Sequence, residues 1–284
     1  MATDNRIALV GGNGLALAGD LAGPQDGPLV LLLHGGGQTR HSWSRATARL
    51  ADEGYRVVNL DMRGHGDSEW DPDGDYSIVA LAEDLRAVLA RFDRPAALVG
   101  ASLGGAAAFY TAGLLESRGI AAIVMVDLAL RSAQQGADRI GSFMAAHAGG
   151  FATIEEAADA VAGYNPSRPR AGAEARLRKN LRRRDDGRYY WHWDPRLLEG
   201  GTRAALDQRF ELLAAVSPAV TAPTLLVRGT DSDVVSDASV AEMKRHVPQT
   251  DILEVSGAGH MVVGDRNDAF NDGVLAFLKV HHPR

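Results

Sequence analysis

A serine, a carboxylate and a histidine can together carry out nucleophilic acyl transfer, and this chain places each of them after an apolar run. Residues 100–104 read Gly-Ala-Ser-Leu-Gly, directly behind the apolar stretch Ala96–Val99 and ahead of an Ala-rich run of good helix formers. In a strand–turn–helix context Ser102 sits on a tight turn with its hydroxyl projecting from the carboxyl edge of a sheet. Gly100 and Gly104 lack a Cβ, so strand and helix can approach closely there. The N–H of Leu103 then stands at a helix N-terminus, where unpaired donors favour negative charge. Taken alone, the same serine would serve equally well as an ordinary helix N-cap. A neutral hydroxyl needs a base within reach. His260 follows the apolar run of residues 251–255, and an imidazole can accept and return a proton near neutral pH. Asp233, behind the run of residues 222–228, is a carboxylate able to fix the imidazole tautomer. The chain order is Ser102, Asp233, His260. A further apolar run, Leu29–Leu33, ends in His34-Gly35-Gly36-Gly37, where backbone N–H groups can be aimed at a developing oxyanion.

These side chains need a scaffold, and the pattern supplies one. Residues 5–10 and 14–22 read as an antiparallel pair around a Gly-rich turn. Further strands are expected at about 28–33, 55–60, 96–100, 120–126, 223–228 and 250–255. Helical patterns fall between them at 42–53, 77–92, 102–116, 236–246 and 267–279. Strands alternating with helices indicate an α/β fold, with a mostly parallel eight-stranded sheet covered on both faces. Between Val126 and Pro223 no buried strand is evident. There 132–147, 153–163 and 173–184 look helical, broken by Gly149-Gly150, Pro166 and Pro169.

Along nearly its whole length the chain resembles the α/β-hydrolase superfamily. The resemblance rests on the serine pentapeptide, the His-Gly-Gly-Gly loop, Asp61-Met62-Arg63-Gly64-His65-Gly66-Asp67-Ser68, and the tail segment from Gly259 to Asp265. It implies an α/β-hydrolase core formed by residues 1–127 and 220–284, with a helical cap, 128–219, inserted after the sixth strand. It also implies that Gly36 and Leu103 form the oxyanion hole. The acid is expected at Asp233, with Asp231 on the same loop and Asp127 after the sixth strand as alternatives. The substrate pocket is expected to include Trp43, Trp191, Trp193 and Met261. His34 and His65 are expected to be structural, since neither follows the last strand. The implied activity is that of a carboxylesterase-like serine hydrolase, cleaving a small, largely apolar ester through an acyl-enzyme with no metal or organic cofactor. A serine nucleophile argues against epoxide hydrolases and haloalkane dehalogenases of this fold. Lactonases, C–C bond hydrolases and cofactor-free perhydrolases share the triad. A non-catalytic small-molecule binding protein is the alternative from another class.

Composition narrows the setting. The chain has 284 residues, is 45% hydrophobic and 23% charged, and suits a soluble globular enzyme. A net charge of −6 speaks against nucleic acid or anionic membrane as a partner. With no cysteine there is no thiol nucleophile and no thiolate metal site. No apolar run has transmembrane or signal-peptide length, so the expectation is a cytoplasmic protein acting on a small molecule. Two clusters lie in the expected cap. The basic run Arg176 to Arg184 reads either as a solvated helix face or as an entrance for an anionic substrate. Tyr189-Tyr190-Trp191-His192-Trp193 reads as an anchor to the core, as pocket wall, or as both.

Overall fold

The computed structural model describes residues 5–164, 172, 174, 177–260 and 267–284. Among the described residues there are ten strands: β1 (Arg6–Val10), β2 (Ala16–Ala22), β3 (Leu29–Leu33), β4 (Arg56–Leu60), β5 (Ala96–Ala101), β6 (Ile120–Val126), β7 (Leu181–Arg183), β8 (Tyr189–Trp191), β9 (Thr224–Gly229) and β10 (Thr250–Val255). Eight form one sheet in the order β1-β2-β4-β3-β5-β6-β9-β10. The pairs β1–β2 and β2–β4 are antiparallel and the others are parallel.

The apolar runs form central strands because both of their faces are covered. Leu29, Leu31 and Leu33 enter the core on one side of the sheet, and Val30 and Leu32 enter the core on the other. Ala96 and Leu98 divide from Ala97, Val99 and Ala101 in the same way. Strand side chains alternate with period two, so a run apolar at every position must be buried twice. The described helices are α1 (Ser44–Asp52), α2 (Ile78–Leu89), α3 (Leu103–Leu114), α4 (Gln134–Ala146), α5 (Ile154–Tyr164), α6 (Arg203–Val216), α7 (Asp237–His246) and α8 (Asn267–His281). Helix α3 is apolar all round, with every residue from Gly104 to Gly113 buried, as befits a helix enclosed by its neighbours.

Between β6 and β9 the chain departs from the expected all-helical pattern. α4 and α5 match the periodicity of their sequences. Over 173–184, however, Leu181–Arg183 is a strand, paired antiparallel with Tyr189–Trp191 across the turn at Gly187. Arg184 and Asp185 interrupt the helical pattern, and the β-favouring Tyr189-Tyr190-Trp191 supplies a partner. α6 also forms, although its scattered charges hide any simple periodicity. This segment has a small core of its own, in which Phe151, Ile154, Ala157, Ala158, Leu177 and Leu181 cluster apart from the two main layers.

Candidate active site

Ser102 lies between β5 and α3 with φ 46° and ψ −114°, a conformation rare for any residue with a Cβ. Its side chain makes no capping hydrogen bond to α3, so the N-cap reading does not hold. The two flanking glycines permit this turn. A Cβ on Gly100 would lie 2.3 Å from the Gly104 carbonyl carbon, and one on Gly104 would lie 2.4 Å from the Leu33 carbonyl oxygen. The hydroxyl is thereby held out of the helix and borders a cavity of about 1710 Å³ that His260 also borders.

His260 is carried by the loop after β10, and that loop is stitched to the one after β9. Asp231 N–H donates to the Ala258 carbonyl (3.0 Å), Thr230 N–H donates to Val255 (3.0 Å), and Gly257 N–H donates to the Thr230 hydroxyl (2.9 Å). Gly229 makes this approach possible, since a Cβ there would lie 2.0 Å from the Ala258 oxygen.

The imidazole does not meet Asp233. His260 Nδ1 lies 2.7 Å from Oδ2 of Asp127, which is fully buried at the end of β6. Asp127 has φ 47°, a second strained turn at the carboxyl edge. Its carboxylate also accepts from the Ser232 hydroxyl (2.7 Å) and from Gly229 N–H (3.4 Å). Asp233 instead forms an ion pair with Arg139 of α4 at 2.9 Å. The reason is the course of the loop after β9. Val234 and Val235 turn into the core, which leaves the preceding side chain facing outward to α4. Asp231 is exposed and accepts from the Thr230 hydroxyl. Sequence reasoning had no signal for Ser232, which orients Asp127 and accepts the N–H groups of Val234 and Val235.

In the Gly-rich loop, two of the three glycine N–H groups are engaged. Gly35 donates to Gln38 Oε1 (3.1 Å) and Gly37 donates to His65 Nε2 (3.1 Å). Among the described residues the N–H of Gly36 has no acceptor, and Gly36 lies against Leu103, whose side chain would be 3.8 Å from an added Cβ. Leu103 N–H, first in α3, has no intrahelical acceptor either. Two free donors therefore stand beside the serine.

His34 and His65 brace this loop. His34 Nδ1 donates to the Gly35 carbonyl while its Nε2 accepts from Met62 N–H; His65 Nδ1 donates to Arg63 while its Nε2 accepts from Gly37. Each ring must be neutral to accept at Nε2. Burial enforces this, pushing His34 down to about 4 and His65 to about 3. The Asp61–Ser68 loop is likewise structural. Asp61 is buried against the Arg40 guanidinium, and Arg63 forms a fork with Asp84 at 2.6 and 2.7 Å.

The four expected pocket residues divide. Trp191 and Trp193 border the cavity. Trp193 is also an anchor, bridging to His65 backbone to backbone, and Trp191 packs edge-on to Phe151 with ring centroids 5.2 Å apart. Trp43 is not a pocket residue; it is 1% exposed and packs against Phe270 in the core below α1. Met261 lies outside the described residues. Arg182, Arg183 and Arg184 are exposed on the hairpin, Lys179 borders the cavity, and Arg176 lies outside the described residues. Among the described residues no group of three His, Asp or Glu side chains could hold a metal ion, and no helix is long and apolar enough to cross a membrane.

The family of the alpha/beta hydrolase fold matches residues 28–266, and the chain belongs to it. It is 31% identical over 260 residues to an esterase of Mycobacterium tuberculosis, covering 88% of this chain and 83% of the relative. It is 28% identical over 264 residues to a mouse (Mus musculus) sn-1-specific diacylglycerol lipase, covering 88% and 81% respectively. Among solved structures, an E-2-(acetamidomethylene)succinate hydrolase superposes with a TM-score of 0.84 at 24% identity, over 96% of this chain and 99% of that one, a likeness of fold.

Proposed function

We propose that this protein is a serine ester hydrolase in which Ser102 is the nucleophile, His260 the general base and Asp127 the carboxylate that orients it. The observation that carries the reading is the 2.7 Å contact from His260 to a buried carboxylate, in a cavity shared with a strained serine. The relatives named as an esterase and a lipase support ester bonds as the target. Asp127 holds the proton on Nδ1, leaving Nε2 free to take the Ser102 proton. The Ser102 Oγ attacks the ester carbonyl, and the N–H groups of Leu103 and Gly36 stabilise the oxyanion; losing one such donor costs about 3–4 kcal/mol. The imidazolium returns its proton to the departing alcohol. Water then attacks the acyl-enzyme with His260 again as base, releasing the acid and restoring Ser102.

Residues 128–219 act in this reading as a cap over the carboxyl edge, supported by the separate small core of the segment and by its share of the cavity wall. The wall includes Phe143, Met144, Trp191 and Leu206, which suits a largely apolar acyl or alcohol group of modest size. The test is hydrolysis of p-nitrophenyl acetate and butyrate together with labelling by a fluorophosphonate. One adduct on the Ser102 peptide and loss of turnover in Ser102→Ala are expected. Labelling that persists in Ser102→Ala would overturn the assignment.

A further inference from the structure

One charge in the cavity wall has no use in the chemistry above. Thr202, Ala205, Leu206, Arg209 and Leu212 of α6 and its N-cap border the cavity, and their three- and four-residue spacing defines one helix face. Arg209 is the charged member of that face. Val216, two turns further on, packs against Gly113 of α3, so α6 runs alongside the helix that follows Ser102. Arg209 is half-buried and has no hydrogen-bond or carboxylate partner among the described residues. Burial without a partner lowers its pKa from the usual guanidinium value. The other arginines bordering the cavity differ. Arg196 pairs with Asp194 at 2.6 Å, and Arg45 is exposed. Nearby acids are committed elsewhere or solvated: Asp207 pairs with Arg131 and Arg203, and the cavity-bordering Asp75, Asp138, Glu199 and Asp268 are exposed. An unpaired guanidinium in a largely apolar wall is costly unless something fills its fork, and a carboxylate is the group that matches it with two parallel hydrogen bonds.

We propose that Arg209 receives a carboxylate carried by the substrate, so that the enzyme prefers esters whose apolar portion ends in an anionic group. This rests on the Ser102 reading of the same cavity. The test compares p-nitrophenyl half-esters of succinic, glutaric, adipic, pimelic and suberic acid with neutral p-nitrophenyl esters of equal chain length. The expected result is a kcat/KM at least about tenfold higher for the best half-ester than for its neutral match, the ratio falling about 10- to 100-fold in Arg209→Met and being partly kept in Arg209→Lys. A ratio that does not move in Arg209→Met overturns the proposal, even if both activities fall, because a structural role lowers both together. A wild-type preference for the neutral esters also overturns it. A second arm needs no turnover: calorimetric titration of the full chain with the free dicarboxylates, where binding should weaken in Arg209→Met by a similar factor. Absence of binding by every dicarboxylate in the series overturns the proposal. If Ser102→Ala hydrolyses the esters as fast as wild type while dicarboxylate binding depends on Arg209, the nucleophile assignment fails and the carboxylate site stands.

Discussion

Replacing Asp127 by Asn changes one atom and should disable the base. Asp127 Oδ2 faces His260 Nδ1 and the Ser232 hydroxyl, both at 2.7 Å, and Oδ1 faces Gly229 N–H at 3.4 Å. In Asp127→Asn the amide has two orientations. With NH2 toward His260 it donates to Nδ1, which moves the imidazole proton to Nε2, and that tautomer cannot accept from Ser102. With NH2 toward Gly229 two donors oppose each other in a buried site, a cost of about 1–3 kcal/mol. The carboxylate charge that stabilises the imidazolium is lost in either case. The expected fall in kcat is about 10³–10⁴-fold, or roughly 4–5.5 kcal/mol of barrier, with KM little changed. Asp233→Asn is the control. It weakens an ion pair to Arg139, a side chain half exposed to solvent, so kcat should change less than about fivefold. The assay is steady-state hydrolysis of p-nitrophenyl butyrate by both variants, with near-UV circular dichroism to verify folding. If Asp233→Asn proves the more damaged enzyme, the geometry has been misread and the acid lies on the loop after β9.

Other outcomes follow from the same contacts. Ser102→Gly should be more stable than Ser102→Ala by about 1 kcal/mol in urea unfolding, although both are inactive, because glycine relieves the positive φ and alanine does not; equal midpoints would mean the turn is unstrained. Gly104→Ala should lose more than about 3 kcal/mol, since its Cβ would collide with the backbone at Leu33 and His34; a stable, active variant would contradict this packing. Because folding lowers the pKa of His34 to about 4 and of His65 to about 3, the unfolded chain takes up protons first as pH falls. Stability should therefore be full above about pH 6.5 and decline from there toward about pH 4 and below, on the order of 3 kcal/mol from His34 alone, and a urea midpoint flat over that window would refute the neutral-ring assignment. On an uncharged ester kcat/KM should fall with acidification, because only an unprotonated base can take the Ser102 proton, and a flat profile with chemistry rate-limiting would exclude a general base. Trp191→Ala should shift acyl chain-length preference, while an unchanged profile with a large drop in melting temperature would make Trp191 an anchor alone.

Elements whose burial is dictated locally could be read directly. The five residues of β3 are apolar without a break, and all eight strands of the main sheet lie within a residue or two of the runs that announced them. The placement of Ser102 and His260 at strand ends was legible for the same reason, since each follows such a run on a short loop. The carboxylate that meets His260 was not, because Asp127 and Asp233 both stand just past strands that end side by side in the sheet. Which of them meets the histidine depends on a backbone turn at Asp127 and on the way Val234 and Val235 enter the core, both tertiary outcomes. Trp43 misled because closeness in sequence to the Gly-rich loop does not fix which side of the sheet a side chain faces. The hairpin of β7 and β8 went unread because three-residue strands are shorter than any periodicity that could reveal them.

The place of Asp127 has a mechanical consequence. It is the first residue after β6, at the start of the segment between β6 and β9, so the carboxylate that meets His260 and the part of the cavity wall that this segment supplies share one covalent tether. Leu128, Ala129 and Leu130 are buried, and Ala133 N–H is fastened to the Val234 carbonyl at 2.8 Å. Those contacts fasten the chain to the core within six residues of the carboxylate. Changes of length within 128–133 would misalign the base first, and with it the part of the cavity wall that Leu128 and Ser132 supply. Changes near Gly149-Gly150, on the far side of α4, would reshape the pocket and leave the base aligned. The two ends of the same segment are thereby subject to different constraints, alignment at one and capacity at the other.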